Sequence, residues 1–269
     1  MTRSLMSDGT ALLDLAENGV AHLTLNRPEA SNGMDVPFLQ SLYAALMAAH
    51  GEPKLRVLLI TGAGPNFCAG GDIKTFASKG EALPDYLREA TSWLQICTGA
   101  LLGLQAPVIA AVHGFAAGGG GFGLVCSADL VIAGESSKFL AGATRVGMAS
   151  DAGVSVSLPQ LVGVRKALEI VLTNPTLTAA EALDIGLITQ VVPDDALLDE
   201  ARALADTLAS GAPRALAAAK RLVWSGIGSR VEAQLPEEAR TVAELSGTAD
   251  AREGLAAVIE RRAPIFTGH

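Results

Sequence analysis

The segment that most constrains this 269-residue chain is residues 113–124, HGFAAGGGGFGL. Four consecutive glycines, 118–121, follow an apolar run with β character at residues 108–112. No Asp, Glu, Lys or Arg occurs from Ala90 to Ala128, which makes this the driest part of the chain. A strand that ends in glycines and then becomes a helix presents bare backbone N–H groups at the positive end of a helix dipole. Such an element suits a negative charge that develops on a bound molecule.

The same charge-free stretch is long enough to cross a bilayer. Gln105, Pro107, His113 and the glycines interrupt it, however, and a buried parallel strand flanked by helices leaves the same signature. The chain is long enough for one large domain, or one domain with a small appendage. A net charge of −8 argues against a nucleic-acid partner. Cys68, Cys97 and Cys126 form neither a metal-ligand spacing nor a disulfide framework, so reduced thiols in a cytoplasmic protein are the simplest reading. The first ten residues, MTRSLMSDGT, lack the apolar core of a signal peptide.

Asn18-Gly19 between residues 11–17 and 20–26 predicts a hairpin, with Ala21, Leu23 and Leu25 on the apolar face of its second strand. Asp35 and Pro37 open a helix that runs to about His50, and VLLI at 57–60 is the centre of a buried strand. The loop NFCAGGDIK, 66–74, follows, and the polar stretch 75–85 predicts an exposed, mobile segment. A helix over 87–104 then returns to the strand at 107–112. This β–α–β alternation predicts a parallel sheet. Beyond the glycines, a helix to Cys126, a strand at 129–133 and helices over 154–162 and 165–172 are expected. From Ala179 helical patterns dominate, which suggests a packing or oligomerisation layer.

Five stretches carry a resemblance that covers nearly the whole chain: VAHLTLNRPE at 20–29, FCAGGDIK at 67–74, residues 107–120, DLVIA at 129–133 and AEALDIGLITQVV at 180–192. In this order and spacing they resemble the crotonase superfamily of enoyl-CoA hydratases and isomerases. The resemblance implies an α/β fold, the ClpP-like superhelix of β–β–α turns. It implies a core with the acyl-CoA site over residues 1–195, and a helical C-terminal trimerisation region over 196–269. The implied ligand is an acyl-CoA thioester, with coenzyme A as part of the substrate and no separate cofactor or metal. Homotrimers or dimers of trimers are implied, with no nucleic-acid or membrane partner.

Removing a proton from the carbon beside a thioester makes an enolate, and two preorganised N–H donors in a dry site stabilise its oxygen by roughly 3–4 kcal/mol each. The resemblance assigns the first donor to Gly71. It places Ala69, Gly71, Asp72 and Ile73 along the coenzyme A path, with Arg27 beside it, and Lys74 either at a phosphate or in solvent. The second donor is the middle glycine of a family triplet, which the four-glycine run extends by one residue. Counting from Gly114 selects Gly119; counting back from Asp129 selects Gly120. Gly119 is favoured because the upstream match is nearer, with Gly120 beside it at the ligand.

Hydratases of the family use two glutamates. The corresponding positions carry Phe122 or Gly123, depending on register, and Ala143. Asp151, in VGMASDAG, instead resembles the IG-x-x-x-D-x-G segment of isomerases, including those of phenylacetyl-CoA breakdown, and residues 249–268 resemble the C-terminus of that branch. One carboxylate suffices for a 1,3-proton shift. The competing role for Asp151 is a helix N-cap ahead of Val154. Glu81, Asp85 and Glu89 read as solvated charges, His113 as a hydrogen-bonded strand-end residue, and Cys68 as packing. The reaction expected is double-bond isomerisation of an enoyl-CoA or opening of a ring epoxide. Three alternatives follow: hydration by other residues, aromatic dehalogenation (whose aspartate is paired with a tryptophan where this chain has Ala143), and acyl-CoA binding without turnover.

Overall fold

Asn18-Gly19 closes a hairpin. Gly19 adopts φ +85°, and its N–H donates to the Ala16 carbonyl at 3.0 Å. In the computed structural model, which describes residues 2–269, the chain runs β1 (Thr2–Met6), β2 (Ala11–Ala16), β3 (Val20–Leu25), α1 (Val36–His50), β4 (Val57–Gly62), α2 (Ile73–Ser78) and α3 (Leu83–Gly103). Then come β5 (Val108–Val112), β6 (Phe115–Ala117), α4 (Gly118–Ser127), β7 (Leu130–Gly134) and β8 (Lys138–Leu140). They are followed by α5 (Val154–Val162), α6 (Val164–Thr173), β9 (Leu177–Thr178), α7 (Ala179–Asp184) and β10 (Gln190–Val192). Four helices close the chain: α8 (Leu197–Ala209), α9 (Pro213–Gly226), α10 (Val231–Ser246) and α11 (Ala249–Glu260).

Seven strands form the main sheet in the order β1-β2-β3-β4-β5-β7-β10, antiparallel across the first three and parallel from β3 onward. A second sheet, β6-β8-β9, carries the glycine run at the end of β6. The unbroken VLLI of β4 follows from burial on both faces. Leu58 and Ile60 face a core shared with Phe38, Leu42 and Leu101, while Val57 and Leu59 face Ile109, Ile132, Ala201 and Ala205. The first helix beyond residue 195, α8, therefore covers the second face of the sheet. Among the helices beyond residue 195, only α9–α11 stand outside that packing.

Helix α9 is tied down by one buried cation. Lys220, 5% exposed at its side chain, donates to the carbonyls of Leu101 and Ala106 and pairs with Asp129 at 2.9 Å. Asp129 also accepts from Val108 N–H and from the Trp224 indole, both at 2.7 Å.

Two segments differ from expectation. β1 extends the sheet at its edge, where its burial pattern has no fully buried position and so leaves no alternation to read. The polar stretch 75–85 is helical rather than an open loop: α2, a 3₁₀ turn at Gly80–Ala82 and the start of α3 occupy it. Asp72 nucleates this by accepting from Thr75 N–H at 3.1 Å and its hydroxyl at 2.8 Å. The charge-free stretch becomes most of α3, then β5, β6 and α4. No helix among the described residues is long and apolar enough to cross a membrane.

Candidate active site

The first glycine loop is shaped from below by Asn32, a fully buried side chain. Its amide nitrogen reaches the carbonyls of Ala63 (2.9 Å), Asn66 (2.9 Å) and Phe67 (3.0 Å), and its oxygen accepts from Arg27 N–H at 2.8 Å. Above it, Met34 N–H donates to Gly70 and Asp72 N–H donates to Met34, in a parallel bridge centred on Gly71. In that pattern the residue between the two bonds turns its own N–H to the opposite side. The Gly71 amide is therefore free of the bridge, and Gly71 lines the adjoining cavity.

A second bridge, Cys68 with Ala116, joins this loop to β6 and brings the two glycine segments back to back. A methyl built on Gly70 would meet the Ala117 carbonyl at 2.7 Å and Gly118 Cα at 3.0 Å. Backbone can approach this closely only without side chains. Ala117 is extended and Gly118 opens α4, so the amides of 118–120 have no preceding helical carbonyl to donate to. Gly120 faces Met34, Gly70 and Cys68, whereas Gly119 faces a carboxylate.

That carboxylate is Asp151. A Cβ built on Gly119 would lie 1.7 Å from Asp151 Oδ1 and 2.5 Å from its Cγ. Asp151 does not cap α5: the N-cap is Gly153, with no side-chain capping bond, and Val154 N–H donates to the backbone carbonyl of Asp151. The structure thus removes the competing structural role. Among the described residues no Lys, Arg or His pairs with Asp151. Burial raises its carboxyl above the ordinary aspartate range, opposed only by its own backbone N–H.

Gly71, Gly118, Gly119, Gly120 and Asp151 line one cavity of about 450 Å³. Apolar side chains such as Phe76, Leu87 and Leu94 make most of its wall, and among the described residues only Arg145 and Asp151 bring charge to it. Arg145 is engaged with the Asn174 carbonyl. A larger hollow of about 990 Å³ lies elsewhere, between the β2–β3 turn and the C-terminal residues, and shares no wall with this site.

Of the other sequence candidates, Ala69 and Ile73 line the cavity. Lys74 is exposed on the first turn of α2. Asp72 is turned away to Arg27 (2.9 Å) and Thr75, and Arg27 also meets Asp35 at 3.2 Å and the Gly33 carbonyl at 2.8 Å. Arg27 therefore clamps the loop, with its guanidinium already occupied. The His113 ring holds the Gly64 carbonyl at 2.8 Å. Cys68 donates to the Asn32 carbonyl, and burial pushes its thiol up to about 12, which suits packing. Sequence reasoning missed two contributors: Asn32, whose burial has no local signature, and Phe76, whose ring lies over Gly71.

A family model described as enoyl-CoA hydratase/isomerase matches residues 15–269. The chain belongs to this family. It is 40% identical over 263 residues to a probable enoyl-CoA hydratase of Rhodobacter capsulatus, covering 98% of this chain and 100% of the relative. It is 36% identical over 260 residues to 1,2-epoxyphenylacetyl-CoA isomerase of Escherichia coli, covering 96% and 98%. A crystal structure of an enoyl-CoA hydratase from Bacillus anthracis superposes with a TM-score of 0.91 at 33% identity, covering 97% of this chain and all of that one. The fold is accordingly that of the crotonase superfamily, and the protein is an enzyme of the enoyl-CoA hydratase/isomerase family.

Within the family, the acid positions of the hydratase pattern are apolar here. Phe122 is 1% exposed and shares with Asp151 a crevice too small to admit water. Gly123 abuts Ala152, whose methyl would stand 2.5 Å from any Cβ at that position. Ala143 lines the main cavity without a polar group.

Proposed function

We propose that the protein isomerises an acyl-CoA through an enolate, either moving a double bond from 3-enoyl-CoA to 2-enoyl-CoA or opening a ring epoxide beside the thioester. The observation that carries this reading is Asp151, among the described residues the sole carboxylate of the cavity and without an ion-pair partner, set against the glycine turn of α4. In the double-bond shift Asp151 removes a proton from C2, and the electron pair is delocalised onto the thioester oxygen. The N–H groups of Gly71 and Gly119 hold that oxygen, each by roughly 3–4 kcal/mol. Asp151 then returns the proton at C4, the double bond settles between C2 and C3, and the enzyme is regenerated. A raised carboxyl suits a group that must take a proton and give it back.

Coenzyme A enters as part of the substrate along Ala69, Gly71 and Ile73, with Gly120 beside the oxyanion, Lys74 available to a phosphate, and Asp72 held in place by Arg27. No other cofactor is required by this chemistry. Assembly as homotrimers or dimers of trimers accompanies the reading, supported by exposed apolar side chains on α11 such as Val258 and Ile259. Light scattering on the purified protein checks it.

Two thioesters test the reaction. Incubation with a 3-enoyl-CoA should yield the conjugated 2-enoyl-CoA, and Asp151→Asn should fold and lose this activity. Crotonyl-CoA should be hydrated slowly or not at all. Rapid formation of 3-hydroxyacyl-CoA would replace isomerisation with hydration, the activity for which the Rhodobacter relative is named.

A further inference from the structure

Asp151 sits on a backbone that its neighbours do not favour. Ala152 has φ +50° and Gly153 has φ +75° and ψ 0°, and Val154 N–H donates to the Asp151 carbonyl at 3.0 Å. Two successive positive φ values closed by that bond describe a turn of the mirror-image type I′. Its first central position is dominated by Gly, Asn and Asp, because a Cβ there crowds the following carbonyl. Here it holds an alanine that is 8% exposed.

The packing of the alanine explains the exception. Gly119 and Gly123 lie one helical turn apart on the same face of α4. A Cβ at Gly119 would strike the Asp151 carboxylate, and a Cβ at Gly123 would strike the Ala152 methyl at 2.5 Å. Two consecutive residues of the turn therefore rest on two consecutive turns of the helix that carries the anion-holding amides. Glycine at 152 would leave the notch at Gly123 empty. Asparagine would carry polar atoms beyond Cβ into a position that is already buried. A methyl group fits.

We propose that Ala152 is a positioning residue: its methyl, keyed into the notch at Gly123, sets the Asp151 carboxylate over Gly119 and so in register with the oxyanion donors. The proposal rests on the reading of Asp151 as the base. It assigns the strained alanine to alignment rather than to stability.

The test is a methyl-swap series assayed with a 3-enoyl-CoA. Ala152→Gly relieves the left-handed strain and should melt no lower than the parent. Its kcat should fall on the order of tenfold to a hundredfold, the scale for a small misplacement of a reacting group, with KM unchanged. Gly123→Ala alone collides with Ala152 and should be slow. The double variant Gly123→Ala/Ala152→Gly moves the methyl from turn to helix, restores the contact and should regain most of the lost kcat. An Ala152→Gly enzyme with the parent kcat overturns the proposal, and so does a double variant no faster than Ala152→Gly. Asp151→Asn is run alongside. Full turnover in that variant overturns the assignment of the base, whereas its loss beside an unimpaired Ala152→Gly overturns the alignment alone.

Discussion

Gly119→Ala adds one carbon at the point where helix and carboxylate meet. The new Cβ would fall 1.7 Å from Asp151 Oδ1, 2.5 Å from Cγ and 2.9 Å from Oδ2. Carbon–oxygen contacts settle at about 3.3–3.6 Å, so the carboxylate must withdraw by well over 1 Å. A misplacement of ~1 Å at a reacting group costs on the order of a hundredfold in rate. At 1.36 kcal/mol per decade, that is about 2.7 kcal/mol of barrier. The substitution keeps the amide donor of residue 119, and Gly119 is not among the residues with positive φ, so alanine is compatible with the backbone. Replacing a helical glycine by alanine contributes about 0.5–1 kcal/mol to stability, which offsets part of the local repulsion. The expected outcome is a folded protein with near-parental melting and a kcat reduced at least a hundredfold. Initial rates of conjugated thioester formation at saturating 3-enoyl-CoA measure it. Gly99→Ala on α3, where nothing beyond the adjacent residues and the helix's own backbone lies within 4 Å of the added methyl, is the matched control and should leave kcat unchanged. A folded Gly119→Ala enzyme with kcat within a small factor of the parent would refute the assignment of Asp151 as the reacting group.

Asp151→Asn should melt higher than the parent near neutral pH. The folded-state carboxyl is raised by burial, so its contribution to stability is full below the unfolded pKa and is lost as pH rises through the folded one. The advantage of the amide should therefore shrink as melting is repeated in acid, and the acid limb of kcat/KM for the parent should lie above the ordinary carboxylate range. Asn32→Ala leaves the Ala63, Asn66 and Phe67 carbonyls short of a buried donor, at about 1–3 kcal/mol for each group left unsatisfied. Urea unfolding should show the loss, and KM for acyl-CoA should rise as the first glycine loop slackens. Asp129→Ala strands the buried Lys220 and should destabilise by about 3–5 kcal/mol, measured by equilibrium denaturation, whereas Lys220→Met should cost less.

Elements whose residues see two different environments are legible in the sequence alone. The alternation of β3, the two-faced run of β4, the hairpin at Asn18-Gly19 and the Asp35 cap of α1 each follow from local rules, and each is present. β1 was not legible, because an edge strand with no fully buried residue has no periodic signature. The 75–85 segment misled because its polarity reports exposure, which an outward-facing short helix shares with a loop. At the site, the glycine run and the aspartate were visible as residue types, and the resemblance put them in one reaction. The structure places Gly71, Gly119 and Asp151 around one cavity, yet it turns Asp72 and Arg27 toward each other.

The sequence by itself determined the family, the hairpin and the β–α–β alternation of the central strands, and the replacement of the hydratase acid positions by Phe122 or Gly123 and by Ala143. These are properties of residue type and spacing along the chain. Only the tertiary structure decided what Asp151 does with its oxygens. The same Asp-Ala-Gly step can cap a helix or leave its carboxylate uncapped, and the local sequence is identical in both cases. What selects between them is the helix bearing the glycine run, whose bare face at Gly119 and Gly123 receives the turn and keeps it from closing over α5. The glycines that open α4 thus do two things: they leave its first amides without helical partners, and they leave the space in which the carboxylate stands.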